Sequence, residues 1–147
     1  MPRKQVTKVL KSLVGEYLVA AYLCSKGYFV SVMPKGMPRV DLIVYDIEQG
    51  KARLVQVKAF SGRSNKCPLI GVSTTFDNID EILEEKVKHP YVFVELLDDV
   101  KQAKLYVLGP SDVRELAKEA YLEWLTKKHH RKSIEEIKNQ NNLFASP

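Results

Sequence analysis

The chain is poor in cysteine, has three histidines with no partner pattern, and contains no apolar run of membrane length. Each of these absences excludes something. Cys24 and Cys67 show neither CxxC spacing nor a nearby pair of histidines, so a zinc site is not expected, and two thiols make no disulfide framework. They read as free intracellular thiols. His89, His129 and His130 have no arrangement that suggests metal binding or nucleophilic catalysis, and they read as surface residues. No apolar stretch approaches the ~18 to 20 residues of a membrane span. The segment after Met1-Pro2-Arg3-Lys4-Gln5 is amphipathic and lacks the apolar core and cleavage site of a signal peptide. The expectation is a cytoplasmic protein with no membrane partner. Internal repeats and low-complexity tracts are missing as well.

The 147 residues are one domain's worth, enough to bury a core without disulfides or metals as staples. With 45% hydrophobic and 28% charged residues, the composition is that of a soluble globular protein. The net charge of +5 is a modest excess that suits a polyanionic partner without requiring one. Its distribution says more. Lys4, Lys8 and Lys11 crowd the N-terminal segment, and Lys51, Arg53, Lys58, Arg63 and Lys66 cluster in the middle. Lys127, Lys128, Arg131 and Lys132 form a basic run within a helical C-terminal segment of about 127–147. Taken singly, each cluster also fits an ordinary solvated face.

Val6, Leu10, Leu13, Tyr17 and Ala21 recur at spacings of three and four, which predicts an amphipathic helix to about Lys26, capped by Gly27. Residues 28–32 form a β-prone run, closed by a loop with Pro34, Gly36 and Pro38. Two strands follow, 40–45 and 52–59, with a turn at 48–51, and together they read as a hairpin. In the second strand Leu54, Gln56 and Lys58 fall on one face, with Arg53, Val55, Val57 and Ala59 on the other. A loop-like stretch with a short edge strand near 69–72 comes next, then a helix over 77–87 that Pro90 keeps from continuing. Tyr91 to Leu96 is apolar enough for a strand buried on both faces. Another strand covers 105–108. A helix capped by Asp112 and a short last helix from Ser133 complete the order. Trp124 fits the stripe of the first of these helices better than a base-stacking platform. Mixed strands with interspersed helices argue an α/β fold, a central mixed sheet flanked by helices.

Three residues interrupt these patterns. Asp41 stands beside the apolar run Leu42-Ile43-Val44, either buried, where a carboxylate needs a partner or a cation, or at the fraying start of the strand. Gln56 and Lys58 share a face of the second strand, ~6.5 to 7 Å apart, and the hairpin brings Asp41 close to opposite Gln56. On a solvated face Gln56 and Lys58 would be ordinary. As a group the three fit one task. A hard divalent cation such as Mg²⁺ takes oxygen ligands, and Asp41, the Gln56 amide and the Val57 carbonyl supply three. Lys58 beside them can orient or help deprotonate a water and offset developing negative charge.

Residues 36–44, from Gly36-Met37-Pro38-Arg39 through Val40-Asp41 to Val44, followed by Gln56-Val57-Lys58, resemble the PD-(D/E)XK nuclease superfamily. Gly15-Glu16 in the first helix, the stretch after Gly27 and the strand order fit the same pattern, over roughly Lys11 to Ala59. The resemblance implies a restriction-endonuclease-like fold, with Asp41 the principal metal ligand and Lys58 the catalytic lysine. It puts Gln56 where most members have Glu or Asp, and Glu16 as an outer ligand reached through water. On the helical wheel Glu16 lies on the flank of the apolar stripe. Two departures stand out: Pro38 is three residues before Asp41 instead of adjacent, and Gln56 removes one negative charge, which predicts weaker metal binding.

These expectations describe an endonuclease that hydrolyses DNA phosphodiester bonds with Mg²⁺ or Mn²⁺, resolvase-like or repair-like in its choice of substrate. Glu16, Asp41, Gln56, Val57 and Lys58 would form its site. Lys8, Lys11, Lys35, Arg39, Arg63 and Lys66 would hold the phosphate backbone, contacts that give affinity without sequence preference. Acting on duplex DNA, so small a unit is expected to work as a homodimer or higher oligomer. The alternatives are an inactive nucleic-acid-binding module of the same fold, and a homing or restriction type of endonuclease.

Overall fold

The described residues of the computed structural model are 8–61 and 78–126, with only the backbone described for 124–126. Val6, Cys67, Arg63, Lys66, the expected edge strand at 69–72, the C-terminal basic run and the helix from Ser133 lie outside them, as does the side chain of Trp124.

The element order is helix α1 (Lys8–Ser25), strands β1 (Phe29–Val32), β2 (Leu42–Asp46) and β3 (Lys51–Ser61), helix α2 (Ile79–Lys86), strands β4 (Tyr91–Leu96) and β5 (Lys104–Leu108), and helix α3 (Pro110–Thr126). The five strands form one sheet in the order β1-β2-β3-β4-β5. Only β3 and β4 run parallel; the other neighbours are antiparallel. The fold is α/β with a mixed sheet, as expected. No described helix is long and apolar enough to cross a membrane.

Alternation along the strands sorts the core into two faces. Val55 and Val57 of β3, Leu42 and Val44 of β2, and Val92 and Val94 of β4 pack with Val19 and Leu23 of α1. Tyr91 and Phe93 of β4 point the other way and pack with Tyr106, Leu108, Val113 and Leu116, on the side of α3. Tyr91 to Val94 are thus buried on both faces, which is why β4 has no polar positions there. Ile79 and Leu83 of α2 close against Ala117 and Tyr121 of α3.

α1 corrects one expectation. Leu10 and Tyr17 of the predicted stripe are 50% and 60% exposed, and Ala21 is exposed too. The buried face carries Gly15, Glu16, Val19 and Leu23. Apolar residues occur nearly all round this helix, so two stripes compete, and close packing selects between them. A Cβ at Gly15 would lie 2.9 Å from the Ala59 Cβ and 3.5 Å from Val57. Only the face with glycine at that point lets the helix approach the sheet so closely. The helix ends as expected: Gly27 has φ 94°, and the Tyr28 N–H reaches back to the Leu23 carbonyl at 3.1 Å. α3 begins at Pro110, earlier than an Asp112 cap would set it, so Asp112 lies in the first turn. Proline at the first helical position loses no hydrogen bond, because that N–H has no partner within the helix.

Candidate active site

The β2–β3 ladder pairs Leu42 with Val55, and its continuation sets Asp41 opposite Gln56. The Asp41 N–H, however, donates to the Val55 carbonyl at 2.9 Å. The chain is therefore one residue out of step at the end of the ladder, as in a β-bulge, a device that re-aims a side chain. The Asp41 carboxylate then turns back onto β3, and its Oδ2 accepts the Val57 N–H at 2.8 Å. Asp41 lies just outside β2 and is half-buried. Of the two readings open to the sequence, the strand-end position holds, yet the side chain is fixed there.

β3 presents Gln56 and Lys58 on the face opposite α1. The parallel register places Gln56 beside Tyr91 and Lys58 beside Phe93, and both of those rings belong to the α3-side cluster. The Gln56 N–H donates to the Pro90 carbonyl at 3.1 Å, so Gln56 turns its backbone to β4 and Val57 turns its own to β2. The Val57 carbonyl points to the same side as its N–H, towards Asp41. Gln56 and Lys58 are half-buried.

Tyr91 is a member of this neighbourhood that the sequence pattern hid inside an apolar strand. Burial pushes its phenol above the usual tyrosine range, the positive charge of Arg39 pulls it down, and the negative charge of Asp41 pushes it up. Both loop residues thus act on the phenol through their charges. Arg39 has φ 63°, in the left-handed region that non-glycine residues seldom occupy, and its Nη1 donates to the Glu85 carbonyl at 3.3 Å. Strain of this kind at the residues leading into a functional group is retained only when surrounding contacts hold it.

Glu16 stands apart. It is on α1, which covers the other face of the sheet, and it is only 4% exposed, buried where the flank position had been expected. Its Oε1 lies 2.9 Å from the Lys35 Nζ. Lys35, expected among the phosphate-binding residues, therefore spends its ammonium on Glu16 while the rest of the side chain remains half-exposed. Lys8 and Lys11 are exposed at the start of α1. Among the described residues no three His, Cys, Asp or Glu side chains gather to hold a metal ion. Of the expected ligand groups, the Asp41 carboxylate is the one fixed against β3, on the Val57 N–H, while Gln56 is half-buried in the middle of that strand.

A bacterial homing endonuclease has a similar structure, with a TM-score of 0.50 and 16% sequence identity over 74% of this chain and 73% of that one. The chain has a nuclease-like fold. At that identity the likeness concerns the path of the backbone. No family model and no curated protein matches the sequence. Asp41 at the bulged end of β2 is the carboxylate that this sheet holds through a backbone N–H of the neighbouring strand β3, one residue before Lys58.

Proposed function

We propose that this protein is a metal-dependent endonuclease of the PD-(D/E)XK type that hydrolyses DNA phosphodiester bonds, with Asp41, Gln56, Val57 and Lys58 as its site. The observation that carries the reading is the Asp41–Val57 hydrogen bond at 2.8 Å. It fixes a carboxylate against the β3 backbone at Val57, with Gln56 and Lys58 as the residues on either side. The nuclease-like fold supports it.

The donor set fits a hard divalent cation, Mg²⁺ or Mn²⁺, because all three groups are oxygens, and with only one of them charged the binding is weak. Bound there, such an ion supplies Lewis acidity towards a phosphoryl oxygen and lowers the pKa of water. The protein's own groups do the rest. Asp41 brings the negative charge and is held in place by the Val57 N–H, so little reorganisation is needed to use it. Gln56 contributes an amide oxygen without adding charge. Lys58 lies on the same strand face and can orient an attacking water or offset charge that develops on the phosphate. Lys8 and Lys11, exposed on α1, together with Arg63 and Lys66, are suited to backbone phosphates. A homodimer would supply two sites for two strands.

Plasmid, nicked, branched and single-stranded DNA incubated with Mg²⁺ or Mn²⁺, against EDTA, provide the test. Metal-dependent cleavage that disappears in Asp41→Asn and Lys58→Met supports the reading, and preference for branched over linear duplex would make the enzyme structure-directed. Salt-sensitive DNA binding without cleavage points to the second reading, an inactive nucleic-acid-binding module. The neutral Gln56 at a position where the resemblance expects a carboxylate favours that alternative.

A further inference from the structure

The loop between β1 and β2 carries Asp41 at its end and is fastened at several points. The Met33 N–H donates to the Asp41 carbonyl at 2.8 Å, which closes its base. Arg39 ties it to α2 through the Glu85 carbonyl. Lys35, at the turn with Gly36 at φ 98°, ties it to α1 through Glu16.

The third tie is unlike the other two. The Glu16 side chain is 6% exposed, whereas that of Lys35 is 52% exposed. A carboxylate so enclosed is costly unless a cation meets it, and removal of that cation leaves the cost uncompensated. Glu16 is itself held firmly, because the adjacent Gly15 backbone sits against Ala59, Val57 and Val94 of the sheet. A rigid helix therefore offers the loop a fixed anion, and Lys35 is the loop residue that answers it.

We infer that the Lys35–Glu16 ion pair is a positioning device: it ties the loop that carries Asp41 to α1 and so keeps the Asp41 carboxylate on the Val57 N–H. Through this tie Glu16 and Lys35 act on the position of Asp41. The catalytic meaning of this tie rests on the nuclease reading, whereas the tie itself does not.

Amide hydrogen exchange of the metal-free full chain in EDTA tests it, with the Val57 amide as reporter and the Val92 amide as a core reference. In Lys35→Met, Val57 exchange is expected to quicken on the order of tenfold, as when a hydrogen bond to a charged group is lost. Glu16→Gln gives the same direction of change, Val57 quickens by more than Val92 does in each variant, and Lys35→Arg restores Val57 protection. Unchanged Val57 protection in Lys35→Met overturns the inference, and so does quickening shared equally by Val92, which reports general loosening. If the nuclease reading holds, kcat falls alike in Lys35→Met and Glu16→Gln with KM little changed. An outer-ligand role for Glu16 would instead separate the two variants. If the parent protein cleaves no DNA, the nuclease reading fails while the exchange result still decides the tie.

Discussion

The Asp41 carboxylate and the Val57 N–H meet at 2.8 Å just beyond the last pair of the β2–β3 ladder, so a side chain stands in for the strand that stops there. This one contact places a charged oxygen beside the backbone that runs on to Lys58.

If Lys58 assists water attack or steadies developing charge, Lys58→Met lowers kcat by about 10²- to 10⁴-fold, the range for a positioned acid–base group. KM for DNA changes far less. Single-turnover cleavage measures the difference directly. A loss confined to KM would make Lys58 a phosphate contact and nothing more.

Gln56→Glu adds a carboxylate to the proposed ligand set. Mn²⁺ binding measured by calorimetry is expected to tighten, because a hard cation gains a charged ligand in place of a neutral one. Weaker binding in this variant would mean that Gln56 does not face the ion.

The corrected face of α1 makes a stability prediction. Leu23→Ala removes buried methyl groups and is expected to cost about 2 to 5 kcal/mol, whereas Tyr17→Ser on the exposed face stays within about 0.5 kcal/mol. Gly15→Ala drives a methyl to 2.9 Å from the Ala59 Cβ and is expected to cost about 1 to 3 kcal/mol, part of which Ala59→Gly recovers. Urea unfolding of the four variants checks the set.

Much of the fold was legible in the sequence because it follows from patterning. Alternation in 52–59 set the faces of β3, unbroken apolarity marked β4 as buried on both faces, and Gly27 marked the end of α1. The face of α1 was not legible, since apolar residues surround that helix and the choice is made by the contact of Gly15 with Ala59, far off in sequence. For the site, the hairpin count brought Asp41 near Gln56. The slip that lets Asp41 bond Val57 depends on backbone geometry at Arg39 and Asp41 that residue types do not encode. Tyr91 looked like one more core aromatic, and Glu16 was read as a flank residue because its partner Lys35 lies across a loop.

Tyr91 also offers a spectroscopic handle on the site. Asp41→Asn removes a charge that raises its phenol, so the pKa of Tyr91 falls; Arg39→Gln removes one that lowers it, so the pKa rises. Ultraviolet difference titration of tyrosinate reads both. In the folded protein Tyr91 keeps its proton to higher pH than in the unfolded chain, so stability is lost as pH rises above about 10 towards the folded value. An unchanged titration in both variants would separate Asp41 and Arg39 from the ring.

His89 governs a window on the acid side. Burial first, and the charge of Lys88 second, hold its pKa below 6.5. Between 6.5 and the lower folded value the unfolded chain binds the extra proton, so stability present above 6.5 declines as pH falls through that window. His89→Asn is expected to flatten this part of the pH–stability curve. An unaltered curve would mean that His89 titrates alike in both states.

The proposed function requires that Asp41 and Gln56 hold a divalent cation beside the start of β2 and the middle of β3. Crystals soaked in Mn²⁺ and measured at a wavelength where manganese scatters anomalously test it most directly. The account predicts an anomalous peak within ligand distance of Asp41 and Gln56, beside the Val57 carbonyl, and none in crystals of Asp41→Asn. Crystals that take up Mn²⁺ elsewhere and leave this position without a peak would contradict it.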